Sequence, residues 1–143
     1  MTHPHRPLRK SLAWPMAAAA AWCASAGAAP PALRCEVSYA DVPRVLRFTA
    51  DVAAYDAAAV DIDGRFRFRA VLRGGADGLE MVRIYVYAEG SGPQAAPPML
   101  QEARYLAPFG PQDRPGALTG EQTVYAQPAG RPLRYACALE EPS

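Results

Sequence analysis

The chain has 143 residues, 15 basic and 14 acidic side chains and a formal net charge of +1, a size that suits one domain around one core. It carries no glycine-rich phosphate loop, no GxGxxG dinucleotide fingerprint and no Cys-x-x-Cys spacing, so the motif-borne nucleotide and thiol-redox chemistries are excluded. Near-neutral charge without a clustered basic footprint also argues against nucleic-acid binding.

The N-terminal stretch has its own layout. Arg6, Arg9 and Lys10 precede an uncharged, alanine-rich run, and Ala24-Ser25-Ala26 closes it with small residues, the pattern of a secretory signal peptide. The expectation is a signal over 1–26, cleavage near 26–28, and one domain over 27–143. Trp22 before Cys23 disfavours lipoprotein processing, Pro15 interrupts the run as a membrane anchor, and no Arg-Arg pair occurs, so general secretion is favoured. No membrane span is expected after cleavage, and the expected location is periplasmic or secreted.

Cleavage changes which chemistry is available. His3, His5 and Lys10, the only histidines and the only lysine, leave with the signal. The remaining chain holds twelve basic and fourteen acidic residues, a net charge near −2. Without an imidazole or an amine, Ser-His-Asp, Cys-His and Ser-Lys nucleophile sites cannot be assembled. The usual zinc, copper and haem ligand sets are missing too. No metal and no cofactor is therefore expected. Cys35 and Cys137 remain as an even pair, which in an exported chain reads as one disulfide.

In chain order, the first expected strand is 34–40 ("RCEVSYA"), followed through an "ADVP" turn by 44–52 ("RVLRFTADV"). Period-2 alternation turns Leu46, Phe48, Ala50 and Val52 to one side. A four-residue turn would set Cys35 opposite Phe48, Val37 opposite Leu46 and Glu36 opposite Arg47. The alanines of 53–64 permit a helical turn that Gly64 would stop. "DIDG" (61–64) echoes the opening of a calcium loop but lacks its later ligands and reads as a turn.

Strands 65–73 ("RFRFRAVLR") and 79–89 ("LEMVRIYVYAE") are expected to form a hairpin around "GGADG" (74–78). With Arg73 opposite Leu79, Phe66 meets Val86, Phe68 meets Ile84 and Ala70 meets Val82, an all-apolar inner face. On the outer face Arg65 then meets Tyr87, Arg67 meets Tyr85, and Arg69 meets Arg83. Further strands are expected at 99–107, 121–127 and 132–140, joined by Pro/Gly loops 89–98 and 108–120 that are long enough to be mobile or to carry a partner surface. Seven strands with an inward disulfide between the first and last predict an all-β, single antiparallel β-sandwich, immunoglobulin-like in architecture. Trp14 and Trp22 lie in the signal, so no strand-C tryptophan supports a closer relation.

Arg65, Arg67, Arg69, Arg83, Tyr85 and Tyr87 are the candidate binding residues. Guanidinium forks suit phosphate and carboxylate, and an aromatic neighbour offers a stacking surface. The competing reading is a solvated outer face whose arginines pair with acids on adjacent strands. The fourteen carboxylates include no pair singled out by spacing, so no catalytic residue is assigned.

The strings "RCEVSYA", "DIDGRFRFRAV", "IYVYA", "LTGEQTVY" and "YACAL" resemble small exported proteins of high-GC Gram-negative bacteria, over most of the chain after the signal. That resemblance implies export and no particular mechanism. The functional expectation is a non-catalytic binding or accessory module of the cell envelope, facing an anionic envelope component or another envelope protein. A structural subunit of an envelope assembly and a small carboxylate-based hydrolase are the alternatives.

Overall fold

The computed structural model describes residue 1 and residues 30–50, 58–75, 78–90 and 96–140. Apart from residue 1, the expected signal and cleavage region fall outside these residues, as do the end of the second expected strand (51–52) and the first five residues (53–57) of the segment read as a helical turn. Among the described residues eight strands form: β1 (Ala32–Tyr39), β2 (Val42–Thr49), β3 (Val60–Ile62), β4 (Phe66–Gly75), β5 (Gly78–Ala88), β6 (Met99–Leu106), β7 (Glu121–Val124) and β8 (Leu133–Glu140). They make two antiparallel four-stranded sheets, ordered β2-β1-β8-β7 and β3-β4-β5-β6. Among the described residues no helix is long and apolar enough to cross a membrane.

The sheets pack face to face because alternation loads each inner surface with apolar side chains. Leu33, Cys35 and Val37 from β1 meet Phe66, Phe68, Ala70 and Leu72 from β4 and Val82, Ile84 and Val86 from β5 in one buried cluster, with Leu133, Tyr135 and Cys137 from β8. Aromatic contacts cross the gap: Phe68 sits edge-on to Tyr135 at 5.1 Å, and Tyr39 edge-on to Phe66 at 5.4 Å, arrangements the ring quadrupole favours. Cys35 and Cys137 are directly paired across β1 and β8 and are disulfide-bonded. The bond therefore joins neighbours within one sheet, whereas the immunoglobulin arrangement carries it between sheets.

Both hairpin registers differ from expectation by two residues. Between β1 and β2 only Ala40 and Asp41 form the turn, both with positive φ (51° and 63°), the conformation that matches strand twist in a two-residue hairpin. Tyr39 therefore pairs with Val42, Cys35 with Leu46 and Val37 with Arg44. The expected Glu36–Arg47 pair is replaced by Arg34–Glu36 and Arg47–Glu140 ion pairs. Pro43 lies on an edge strand, the place in a sheet that tolerates its missing N–H.

Between β4 and β5 the ladder runs on through Gly74 and Gly75 rather than opening into a five-residue loop, and a bulge at Glu80 adds a second shift. Phe66 meets Ala88, Phe68 meets Val86 and Ala70 meets Ile84. A two-residue shift keeps every side chain on its face while changing its partner. The expected Arg69–Arg83 opposition is corrected accordingly: Arg69 lies opposite Tyr85, and Arg83 lies between Val71 and Arg104.

β3 occupies part of the segment read as a helical turn. Its connection to β4 is a tight turn in which Asp63 and Gly64 both take positive φ (53° and 62°) and Arg65 N–H donates to the Ile62 carbonyl. Asp61 accepts from Gly64 N–H at 3.0 Å, and Asp63 pairs with Arg44 of the facing sheet. Both aspartates of "DIDG" are thus engaged in holding the turn. The loop 108–120, expected to be long enough to be mobile or to carry a partner surface, is pinned to β8 by hydrogen bonds. Leu118 N–H donates to the Cys137 carbonyl, Cys137 N–H to Thr119 Oγ1 and Leu139 N–H to Gln112 Oε1, which pairs the β8 backbone beyond the end of β7.

Candidate binding cleft and the arginine face

The expected Arg/Tyr surface exists on the outer face of β4 and β5, and most of its charge is answered from within the chain. Arg67 makes a two-pronged ion pair with Glu89, at 2.9 and 2.8 Å; that hydrogen bond and the Glu89 charge raise the Arg67 pKa above its ordinary value. Arg69 lies over the Tyr85 ring, 5.8 Å from its centroid. Arg83 donates to Tyr85 Oη at 3.4 Å and stands 4.0 Å from Glu102. Tyr85 and Tyr87 stack on each other at 6.2 Å. Val71 and Met81, on this same face, are only 4% and 8% exposed, so it is not a plain wet surface. The strands thus bring together Arg67, Arg69, Arg83, Tyr85 and Tyr87.

Arg65 does not join them. Strand pairing starts at Phe66, and Arg65 sits in the turn after Gly64, at the rim of a cleft of about 590 Å³ at one end of the sandwich. Its volume exceeds those of the clefts beside Asp41, beside Glu121 and beside Gln112, which are about 150, 280 and 300 Å³. Arg131, from the connection between β7 and β8, reaches the same cleft, together with Tyr39, Glu89, Pro98 and Gln127. The walls are held by backbone bonds from Glu89 N–H to the Arg65 carbonyl and from Ala88 N–H to the Pro98 carbonyl. Among the described residues, no carboxylate lies within ion-pair distance of Arg65 or Arg131. The acid of the cleft, Glu89, is held by Arg67.

A second concavity places two acids together. Glu36 and Glu121 both lie opposite Ala136, from β1 and β7, on the outer face of the first sheet and line an open groove of about 280 Å³ with Arg134. Glu36 is bound to Arg34, and its side chain is 47% exposed. Sequence spacing hid this pair because the two residues are 85 positions apart; β8 alone brings them to one row.

A third polar set lies inside. Tyr135, 1% exposed, donates its hydroxyl to Gln101 Oε1 at 2.9 Å, and Gln101 donates to Gln122 across the gap between β6 and β7. Burial raises the Tyr135 pKa well above that of a free phenol, with the neighbouring Tyr105 adding to it, and burial raises Tyr105 as well. Among the described residues no group of three potential metal-ligating side chains converges. Compared with protein families, with curated proteins and with solved structures, the chain matches none.

Proposed function

We propose that the protein is an exported, non-catalytic binding or accessory module of the cell envelope, working in the periplasm or outside the cell. The observation that carries this reading is the pair Arg65 and Arg131, two arginines without an acidic partner among the described residues, around one concavity. A module that recognises an anion leaves its cations open to solvent in a recess, whereas structural arginines are met by acids, as Arg67 is by Glu89. The disulfide favours an oxidising compartment, in keeping with the signal-like N-terminus. An immunoglobulin-like relation is proposed at the level of two-layer architecture only, since fold analogy carries no function.

The test is retention of the purified protein on an immobilised polyanion as salt is raised. The wild type should be retained and released by salt. Arg65→Gln combined with Arg131→Gln should lose most of that retention. Salt-insensitive retention, or a double variant indistinguishable from wild type, overturns the reading. The hydrolase alternative rests on Glu36 and Glu121, but their groove is open to solvent and offers no enclosure from which water could be excluded. A structural-subunit reading would draw on the exposed apolar side chains of the edge strands, Val42 and Val45 on β2 and Met99 and Leu106 on β6.

A further inference from the structure

The end cleft also carries information about what it would hold. We propose that its ligand is an acidic saccharide, a sugar unit bearing a carboxylate or a phosphate, with Arg65 and Arg131 gripping the anionic group; this deepens the binding-module reading and rests on it. The charge balance comes first. Arg65 enters from the β3–β4 turn and Arg131 from the β7–β8 connection, so the two sheets each supply one cation to the same recess. Glu89 would offset one of them, but both of its oxygens are engaged by Arg67. Among the described residues, what remains at the cleft is positive charge with no acidic partner, on planar forks that match the paired oxygens of a carboxylate or phosphate.

The rest of the lining describes the body of the ligand. Phe66 contributes almost nothing, being 1% exposed, so its ring offers an acyl chain no surface. The lining includes the half-buried Tyr39, fixed edge-on against Phe66, Gln127, and the glycines Gly64, Gly90 and Gly130, which present only backbone. A phenol, an amide and exposed peptide groups suit a hydroxyl-rich body with one face to lay on a ring. The volume of about 590 Å³ falls within the roughly 300–1,000 Å³ typical of small-molecule sites. The arginines sit at one end of the sandwich rather than in a stripe, which fits a single anionic unit better than the tracking of a long backbone.

The experiment is a titration of the ¹⁵N-labelled protein, read by backbone and arginine Nε–H resonances, with glucuronate, glucose 6-phosphate, glucose, acetate and inorganic phosphate as probes. The expected result is perturbation centred on Arg65, Arg131 and Tyr39 by the two acidic sugars, with glucose, acetate and phosphate each weaker by about tenfold or more. Arg65→Gln with Arg131→Gln should weaken the acidic sugars by at least about tenfold, while an unchanged thermal midpoint shows the variant is folded. A preference for glucuronate or for glucose 6-phosphate assigns the anion as carboxylate or phosphate. Equal binding of acetate or phosphate alone, equal binding of glucose, or shifts centred on Arg67 and Arg83 would overturn the proposal. If no acidic sugar binds but polyanion retention still depends on Arg65 and Arg131, the saccharide is wrong and the binding module stands. If neither occurs, both fall.

Discussion

Arg65 and Arg67 are two positions apart in "RFRFR", alternate to the same side, and end in different situations. Arg67 is inside the β4 ladder, where pairing with β5 carries the chain on to Glu89 beside it. Arg65 is one residue short of the ladder, rotated by the left-handed Gly64, and faces a recess shared with Arg131. The outer face of β4–β5 is thus a matched surface and the end cleft an unmatched one, built from the same residue type in the same stretch. What separates a structural arginine from a candidate ligand-binding one here is where the strand begins and which acid the pairing delivers.

The broadest test of that contrast asks whether both regions belong to one cooperative unit. Cys35→Ala with Cys137→Ala removes a bond that closes a loop with a sequence separation of 102, and should lower stability by about 2–5 kcal/mol, measured by urea denaturation. Face and cleft should be lost in a single transition, because both strands of the disulfide belong to the shared core. Two separated transitions would mean that the regions report on different units and cannot be compared residue by residue.

Next in size is an effect of pH. Tyr135 and Tyr105 have raised pKa values in the folded chain, so the folded state holds protons that the unfolded state releases near pH 10. Their contribution is complete below about pH 10 and is lost as pH rises through the folded values, each group adding up to about 1.4 kcal/mol per pH unit. Stability should therefore decline above about pH 10. Tyr135→Phe should shallow that decline, while costing about 1 kcal/mol at neutral pH through the lost bond to Gln101. An equally steep decline in the variant would place the alkaline sensitivity elsewhere, for instance on the exposed face.

Much of the scaffold was legible from period 2. Alternation turns Phe66, Phe68, Val82, Ile84 and Val86 inward, and they are buried; Cys35 and Cys137 share that inward parity and pair. Parity is blind to shifts of two, so alternation could not distinguish the four-residue "ADVP" turn from the Ala40-Asp41 turn, nor reveal the bulge at Glu80. β3 was missed because three residues make no run, although Asp63-Gly64 between alternating apolar positions is a hairpin signal. Arg131 had no local pattern to mark it. It becomes notable only when the β7–β8 connection and the β3–β4 turn arrive at the same end, which is information held in the pairing of distant strands.

The finest probe exchanges one group between the two regions. Glu89 belongs to both: its oxygens bind Arg67 on the face, and the residue lines the cleft. Arg67→Gln would leave that carboxylate uncompensated at the cleft wall and should weaken an anionic probe by a few-fold, although Arg67 itself is not among the residues lining the cleft. Glu89→Gln should strengthen the same probe by a similar factor, since it leaves Arg67 unmatched beside Arg65. Both changes should shift the thermal midpoint little, because exposed ion pairs contribute little to stability, and both effects should shrink as salt shortens the screening length. Opposite signs in the two variants would identify the Arg67–Glu89 pair as the device that keeps the cleft positive. The same sign in both would mean that the pair acts by positioning the wall between Arg65 and Ala88, and that the charge of the cleft is set by Arg65 and Arg131 alone.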